Sequence, residues 1–394
     1  MTGGRDIDGD PDRGAIYRRL GVEPIVNGRS TFTVLGGSLM PPVVLEAMRQ
    51  AAESFVDLVE LEAAVGRRIA ELTHNEAAFV SGGAAAGLFL AAVTAMARDT
   101  ADGVYELDDL ERYPRDFVIA HAHRVPYDLA VRLAGGRLVP VGDAVGATRG
   151  QVEDALTDSV AAVIHVPKGD VAAGVASLRD VTGLARERGI PVIVDAAAQL
   201  PPVENLWRFG EAGADVTLFS GGKGLCGPAS TGLVLGPTAF VERISRNASP
   251  LHRIGRPMKV GKEDLVGILT AVEWFVGQDH AAVAARYRDA VAHIVDWGRA
   301  RADVEVTAEP TGEAGQPTPR ARIRVGPASS LSRDALAEEL RATPPRIDLL
   351  LDGEDVLYVA PETLVPGEER LITRKLDALL GRGSSVQPLA GPVD

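Results

Sequence analysis

The chain has 394 residues, 46% apolar and 24% charged, and its 41 Lys and Arg against 54 Asp and Glu give a net charge of -13. Such a length outgrows one ordinary core, so a large domain and a smaller one are expected within the composition range of soluble globular proteins. The acidic balance repels phosphate backbones and no basic patch of sufficient size offsets it, which argues against nucleic acid as a partner.

One cysteine, Cys226, rules out an internal disulfide framework and fits a reducing compartment. The longest apolar run, Ala84 to Ala97, is too short to cross a bilayer and reads as a buried helix, so no membrane partner is expected. Residues 1–14 lack the apolar stretch of a signal peptide, which makes the cytoplasm the expected location.

In chain order, residues 1–14 read as a disordered tail and Ala15 to Leu20 as a short helix. Val26 to Thr33 is polar and extended before a Gly36-Gly37 turn, and Pro42 to Ala52 and Leu58 to Leu72 show helical apolar spacing. The run Ala77 to Val80 is a strand that meets Ser81, Gly82, Gly83 and Ala84 and then the helix Ala85 to Ala97. A helix start of this kind presents unpaired N–H groups and the positive end of a dipole, which suits a phosphate, although tight packing alone also favours small residues there.

Strand Phe117 to Ala120 leads into His121-Ala122-His123 and a helix over Val125 to Ala134. Two imidazoles at i and i+2 share a strand face, but no further ligands stand at metal-binding spacing, so no metal is expected. Strand and helix then alternate through Arg137 to Val141, Val152 to Leu156, Ala161 to Val166, Leu178 to Arg188 and Ile190 to Val194. This is the pattern of a mainly parallel sheet covered on both faces. His165, at the end of one of those strands, either lines the same crevice as His123 or is a satisfied core histidine.

The chemistry concentrates in Ala214 to Leu235, ADVTLFSGGKGLCGPASTGLVL, where Lys223 is the one long side chain in a glycine-dense turn between two apolar strands. A lysine partly desolvated in such a turn becomes a nucleophile towards aldehydes, whereas a solvated lysine in a hairpin is the equal alternative on this stretch alone. Upstream, the apolar strand Ile190 to Val194 ends on Asp195, and ligands of open parallel sheets sit beyond the carboxyl ends of strands. Pyridoxal 5'-phosphate uses this pair of groups: a lysine for its aldehyde and a carboxylate that keeps its ring nitrogen protonated. An Asp in this position also serves as a helix cap.

Beyond the sheet, His252 to Lys262 packs five basic residues into eleven positions. Helices Glu263 to Val276 and Ala281 to Arg301 precede strands at Val304 to Ala308 and Arg320 to Val325, a helix Arg333 to Arg341, strands near Ile347 to Leu351 and Asp355 to Val359, and a helix Glu368 to Leu380. The expected organisation is a tail (1–14), an N-terminal arm with helices (15–57), a large domain (58–278), a small α+β domain (279–381) and a disordered tail (382–394).

VDAAAQLPPVENLWRFGEAGAD followed by FSGGKGLCGPASTG resembles the fold-type-I pyridoxal-phosphate enzymes of the selenocysteine-synthase-like branch, most of all the D-glucosaminate-6-phosphate ammonia-lyase group. The resemblance extends from about Gly21 through RIGRPMKVGKEDLVGILTAVEWF to Phe275, and more loosely to the C-terminus. It implies an α/β large domain with a mainly parallel sheet plus a small C-terminal α+β domain, pyridoxal phosphate as cofactor, an amino-acid substrate and a homodimer. It makes Lys223 the Schiff-base lysine, Asp195 the ring-nitrogen partner and His123 the residue stacked on the ring. It assigns Gly82, Gly83, Ala84 and Ser220 to the cofactor phosphate, with Ser230 and Thr231 reaching the phosphate of the partner subunit. Arg29 and Thr31 become substrate contacts, with Arg256 as a carboxylate fork and Lys259 or Lys262 for a second anion.

Where the family pattern reads GGKGIRGPQSSG, this chain has Cys226 in place of Arg and Ala229 in place of Gln. The exchange removes a cation and an amide beside the lysine and bears on the substrate. The expected activity is a lyase that deprotonates Cα and eliminates a β substituent from an anionic, hydroxylated or sugar-derived amino acid. The alternatives are a racemase, aldolase or β-replacement enzyme with the same cofactor and, last, a non-catalytic binding protein.

Overall fold

A computed structural model describes residues 14–168 and 172–381, so the two expected terminal tails lie outside the described residues apart from Gly14. In chain order the elements are α1 (Ala15–Arg18), β1 (Ile25–Gly28), α2 (Pro42–Ala52), α3 (Leu58–Leu72), β2 (Ala77–Ser81) and α4 (Ala84–Met96). There follow β3 (Asp116–Ala120), α5 (Leu129–Leu133), β4 (Arg137–Val141), α6 (Arg149–Ala155), β5 (Val160–His165), α7 (Leu178–Glu187), β6 (Val192–Asp195) and α8 (Asn205–Glu211). The larger unit continues with β7 (Val216–Ser220), β8 (Gly232–Gly236), α9 (Thr238–Asn247) and α10 (Lys262–Val276). The last elements are α11 (His280–Arg299), β9 (Val304–Glu309), β10 (Arg320–Val325), α12 (Arg333–Ala342), β11 (Arg346–Asp352), β12 (Val356–Val359) and α13 (Glu368–Leu380).

The chain forms two compact units. The larger holds residues 36–278 together with 313–316; the smaller holds the described residues of 1–35, 279–312 and 317–394. In the larger unit a seven-stranded sheet runs β2-β8-β7-β6-β5-β3-β4, and β8 alone is antiparallel to its neighbours. Its strands read as continuous apolar runs because both faces are covered, and every residue of β5 is buried. Successive side chains serve opposite faces: Ile193 and Leu218 join the core formed with α4, α5 and α9, while Val194 and Phe219 join the one formed with α3, α7 and α10. Each such fully buried side chain contributes about 1.5–3 kcal/mol.

Local signals set the helix ends. Asp57 accepts from the N–H groups of Val59 and Glu60 at 2.9 and 3.1 Å, and Thr148 with Gln151 and Ser177 with Asp180 form capping boxes that start α6 and α7. The helix expected from Val125 begins only at Leu129, after a tight turn over Pro126–Asp128. Proline holds the preceding residue extended, and Val125 has φ -140° and ψ 154°.

The smaller unit is built on a five-stranded sheet of order β1-β11-β12-β10-β9, with β1 parallel to β11 and the other pairs antiparallel. One face packs on its helices through Ile323, Ile347, Leu357, Ile372 and Leu376, all fully buried. No helix among the described residues is long and apolar enough to cross a membrane.

Candidate active site

The carboxyl ends of β2, β7, β6, β5 and β3 share one edge of the larger sheet, so Ser81, Ser220, Asp195 and His165 open onto that edge and His123 follows just beyond it. After Ser220 the chain turns through Gly221 to Gly227. Gly222 has no room for a side chain, since a Cβ there would lie 2.5 Å from the Ala229 Cα, and its carbonyl accepts from the Ser38 N–H and hydroxyl, both at 2.9 Å. Gly37, at φ +78°, lies against that same carbonyl, where a Cβ would come within 2.6 Å. This packing fixes the turn that presents Lys223.

Lys223 is half-buried, and its Nζ lies 5.9 Å from the ring centroid of Tyr127, a cation–π distance. Asp195 is half-buried at the end of β6 and accepts from the Ala197 N–H at 3.1 Å. Burial pushes its carboxyl up, while that N–H and the charge of Lys223 pull it down. The two groups proposed from the sequence are thus electrostatically coupled in the structure.

His123 and His165 stand edge to face with ring centroids 4.5 Å apart. Burial lowers His123 to about 4, helped by the charge of Lys168, and lowers His165 to about 3, helped by His123. Both rings are therefore neutral at pH 7. Lys168 donates to the Ala122 carbonyl at 2.5 Å and steadies the turn that carries His123. A cleft of about 690 Å³ opens beside the pair, lined by Lys168, Ser177, Arg179 and Arg208 as well as the two histidines. Among the described residues no three His, Cys, Asp or Glu side chains converge as a metal site requires.

At the neighbouring strand, Gly83 precedes α4 with φ +100° and no side chain caps the helix start. The Ser81 hydroxyl, which the sequence did not single out, donates to the Gly83 carbonyl at 2.9 Å and holds this turn. Gly232 backs it closely, since a Cβ there would lie 2.5 Å from the Ala84 nitrogen. Gly82 is exposed and faces the Met258 carbonyl, 3.1 Å from where its Cβ would be, so the basic segment passes over the helix start. An uncapped helix end of backbone N–H groups fits a phosphate.

In that segment Arg256 is half-buried in a short turn over Arg256–Met258 and Lys259 is exposed, and neither makes an ion pair with another described residue. Lys262 is engaged instead, donating to the Ala51 carbonyl at 2.7 Å and pairing with Glu263. Ser230 is exposed and donates to Asp264 at 3.1 Å. Thr231 is fully buried, with its hydroxyl donating to the Pro228 carbonyl at 2.7 Å. Arg29 and Thr31 belong to the smaller unit, where Arg29 stacks on Phe32 at 5.1 Å and lies 3.8 Å from the Asp348 carboxylate. Cys226 is half-buried with φ +55°, a conformation unusual for a residue with a side chain, and its N–H donates to the Lys223 carbonyl at 2.9 Å.

Gln199 is a further residue that the sequence reading passed over. Four positions after Asp195, its buried amide donates to the Pro167 carbonyl at 3.0 Å and the Ala314 carbonyl at 2.8 Å, tying residues 313–316 into the larger unit. A polar side chain inside the otherwise apolar run AAAQLPP is the signal that could have found it.

Residues 58–258 match the family model of class-V aminotransferases. The chain is 34% identical over 380 residues to a 5'-C-glycyluridine monooxygenase-decarboxylase of Streptomyces sp, an alignment covering 92% of each. It is 30% identical over 371 residues to the D-glucosaminate-6-phosphate ammonia lyase of Salmonella typhimurium, covering 92% of this chain and 96% of that one. A solved structure of such an ammonia-lyase superposes with a TM-score of 0.79 at 27% identity, covering 94% of this chain and 99% of the other. An L-seryl-tRNA(Sec) selenium transferase of Clostridium perfringens is 25% identical over 291 residues, 67% of this chain and 59% of its own.

Proposed function

Because the chain belongs to the class-V aminotransferase family of fold-type-I enzymes, whose cofactor is pyridoxal 5'-phosphate, we propose that it is a lyase acting on an anionic, hydroxylated or sugar-derived amino acid. The observation that carries this reading is Lys223, held in a glycine turn at the end of β7 within the electrostatic reach of the strand-end Asp195. The residues present fit the cofactor. Lys223 supplies the amine for its aldehyde, Asp195 the carboxylate for its ring nitrogen, neutral His123 a flat ring for stacking, and the uncapped start of α4 with Ser220 the donors for its phosphate.

When bound, the cofactor supplies an electron sink for the bond broken at Cα. Lys223 is the base that takes the Cα proton. Arg256 is the fork for a substrate carboxylate, a planar bidentate partner that leaves the chemistry to Lys223. Departure of a β-hydroxyl as water leaves an enamine, and its hydrolysis releases ammonia and a 2-oxo acid.

A second reading, oxygen-dependent decarboxylation at the same carbon, is favoured by the 34% identity to the monooxygenase-decarboxylase. Racemisation, aldol cleavage and β-replacement share the Cα deprotonation or its equivalent and remain the other outcomes. A panel of amino acids assayed for ammonia and 2-oxo acid, with oxygen uptake and carbon dioxide followed in parallel, separates the first two readings. Borohydride reduction and peptide mapping should label Lys223, and Lys223→Ala should lose the covalently held chromophore. A label on any other lysine refutes the assignment.

A further inference from the structure

On β10 of the smaller unit, alternate residues have opposite fates. Ala321, Ile323 and Val325 are buried in the core against the helices, and Arg320, Arg322 and Arg324 share the other face. Arg324 is matched by carboxylates, Glu305 at 3.8 Å and Asp355 at 3.5 Å. Arg320 stands opposite Glu309 in the strand register yet forms no ion pair with it. Its guanidinium instead lies over the ring of Tyr358, 3.8 Å from the centroid, and its Nε is buried with no hydrogen-bond partner.

Tyr358 pairs directly with Arg322 across β10 and β12, so Arg320, Arg322 and Tyr358 share one sheet face. Neither arginine has a side-chain acceptor among the described residues. Two residues along a strand place their side chains roughly 7 Å apart, close enough for both to bracket one small charged group. A buried guanidinium donor without an acceptor is costly, and an arginine that bypasses an adjacent carboxylate to lie over a tyrosine leaves its donors uncommitted.

We propose that Arg320, fixed on Tyr358 and assisted by Arg322, is a binding site for the anionic oxygen group, carboxylate or phosphate, of a small molecule. The guanidinium supplies the bidentate fork, Tyr358 fixes its plane, and Arg322 adds a second positive charge. The inference concerns binding alone and holds whichever reaction the Lys223 site performs.

The test uses protein saturated with pyridoxal phosphate, which keeps the cofactor's own phosphate site filled. Inorganic phosphate and malonate are titrated calorimetrically at constant ionic strength set with chloride. Saturable binding of either anion by the wild type is expected, weakened at least tenfold in Arg320→Met and retained in Tyr358→Phe, which keeps the ring. Tighter binding of phosphate identifies a phosphorylated ligand, and tighter binding of malonate a carboxylate. Should Arg320→Met fail to fold, Arg320→Lys keeps the stem and the charge, and loss of the fork should still weaken binding at least threefold. Equal affinity in wild type and Arg320 variants overturns the proposal, as does loss of binding in Arg256→Met in their place, or no binding of either anion by the wild type.

Discussion

Burial raises the Asp195 carboxyl against the pull of the Ala197 N–H and Lys223, so the fold disfavours its charged form. A carboxyl raised in the folded state stabilises below its unfolded pKa, and that contribution is lost as pH rises through the folded value. At pH 7 the Asp195→Asn variant should therefore melt higher as the cofactor-free protein, by about 2–4 °C per kcal/mol recovered, and bind pyridoxal phosphate more weakly. A lower melting temperature together with unchanged cofactor affinity would show that Asp195 is a structural cap. The histidines have the opposite sign. With His123 at about 4 and His165 at about 3, both below the ordinary 6.5, the unfolded chain binds more protons as pH falls from 6.5 towards 4. Stability present above pH 6.5 is thus lost on acidification, by about 3 kcal/mol from His123 alone. Thermal melts from pH 7 to pH 4 should show this fall, and His165→Gln should flatten it.

Among the elements, the junction of β8 with the start of α4 is the most sensitive to a single methyl group. A side chain at Gly232 would press on the Ala84 nitrogen, one of the N–H groups proposed to face the phosphate. Gly232→Ala should therefore lower affinity for pyridoxal phosphate more than it lowers the melting temperature, measured by cofactor titration and calorimetry on the same samples. Much of this edge was legible in the sequence. The buried strands are apolar runs, Asp195 terminates one of them, and glycine density flagged the turn around Lys223. Long-range partners were not legible. Val26 and Asn27 look like an extended polar arm, and nothing local says that they pair with Ile347 and Asp348 in the smaller sheet. Gln199 was likewise missed, because its acceptors come from residues 167 and 314, remote in the chain. Proline decided the late start of α5, by a rule visible in the sequence at Pro126, and the capping box of Thr148 with Gln151 starts α6 three residues before Val152.

For the whole molecule, the larger unit leaves an apolar strip uncovered in the described chain. Phe55 is fully exposed, and Leu39, Val43, Leu45, Val56 and Val59 are each at least half exposed along α2, the start of α3 and the chain around them. Clustered apolar side chains of this size mark association surfaces. The protein should sediment as a dimer or larger assembly, and Phe55→Asp with Val59→Asp should shift it towards monomer. A wild-type monomer at micromolar concentration would count against this reading.

The return of residues 313–316 to the larger unit has a consequence for dissecting the protein. The gap after Gln278 looks like a place to end a fragment, yet a protein stopped there would lack the Ala314 carbonyl that takes the Gln199 amide. A single protease nick at that point would release nothing, because the polypeptide also passes between the units at 35/36, 312/313 and 316/317. The two units are therefore separate as packed bodies and inseparable as gene segments: any excision that keeps Asp195 and Lys223 in their native surroundings must carry a four-residue piece encoded well inside the other half.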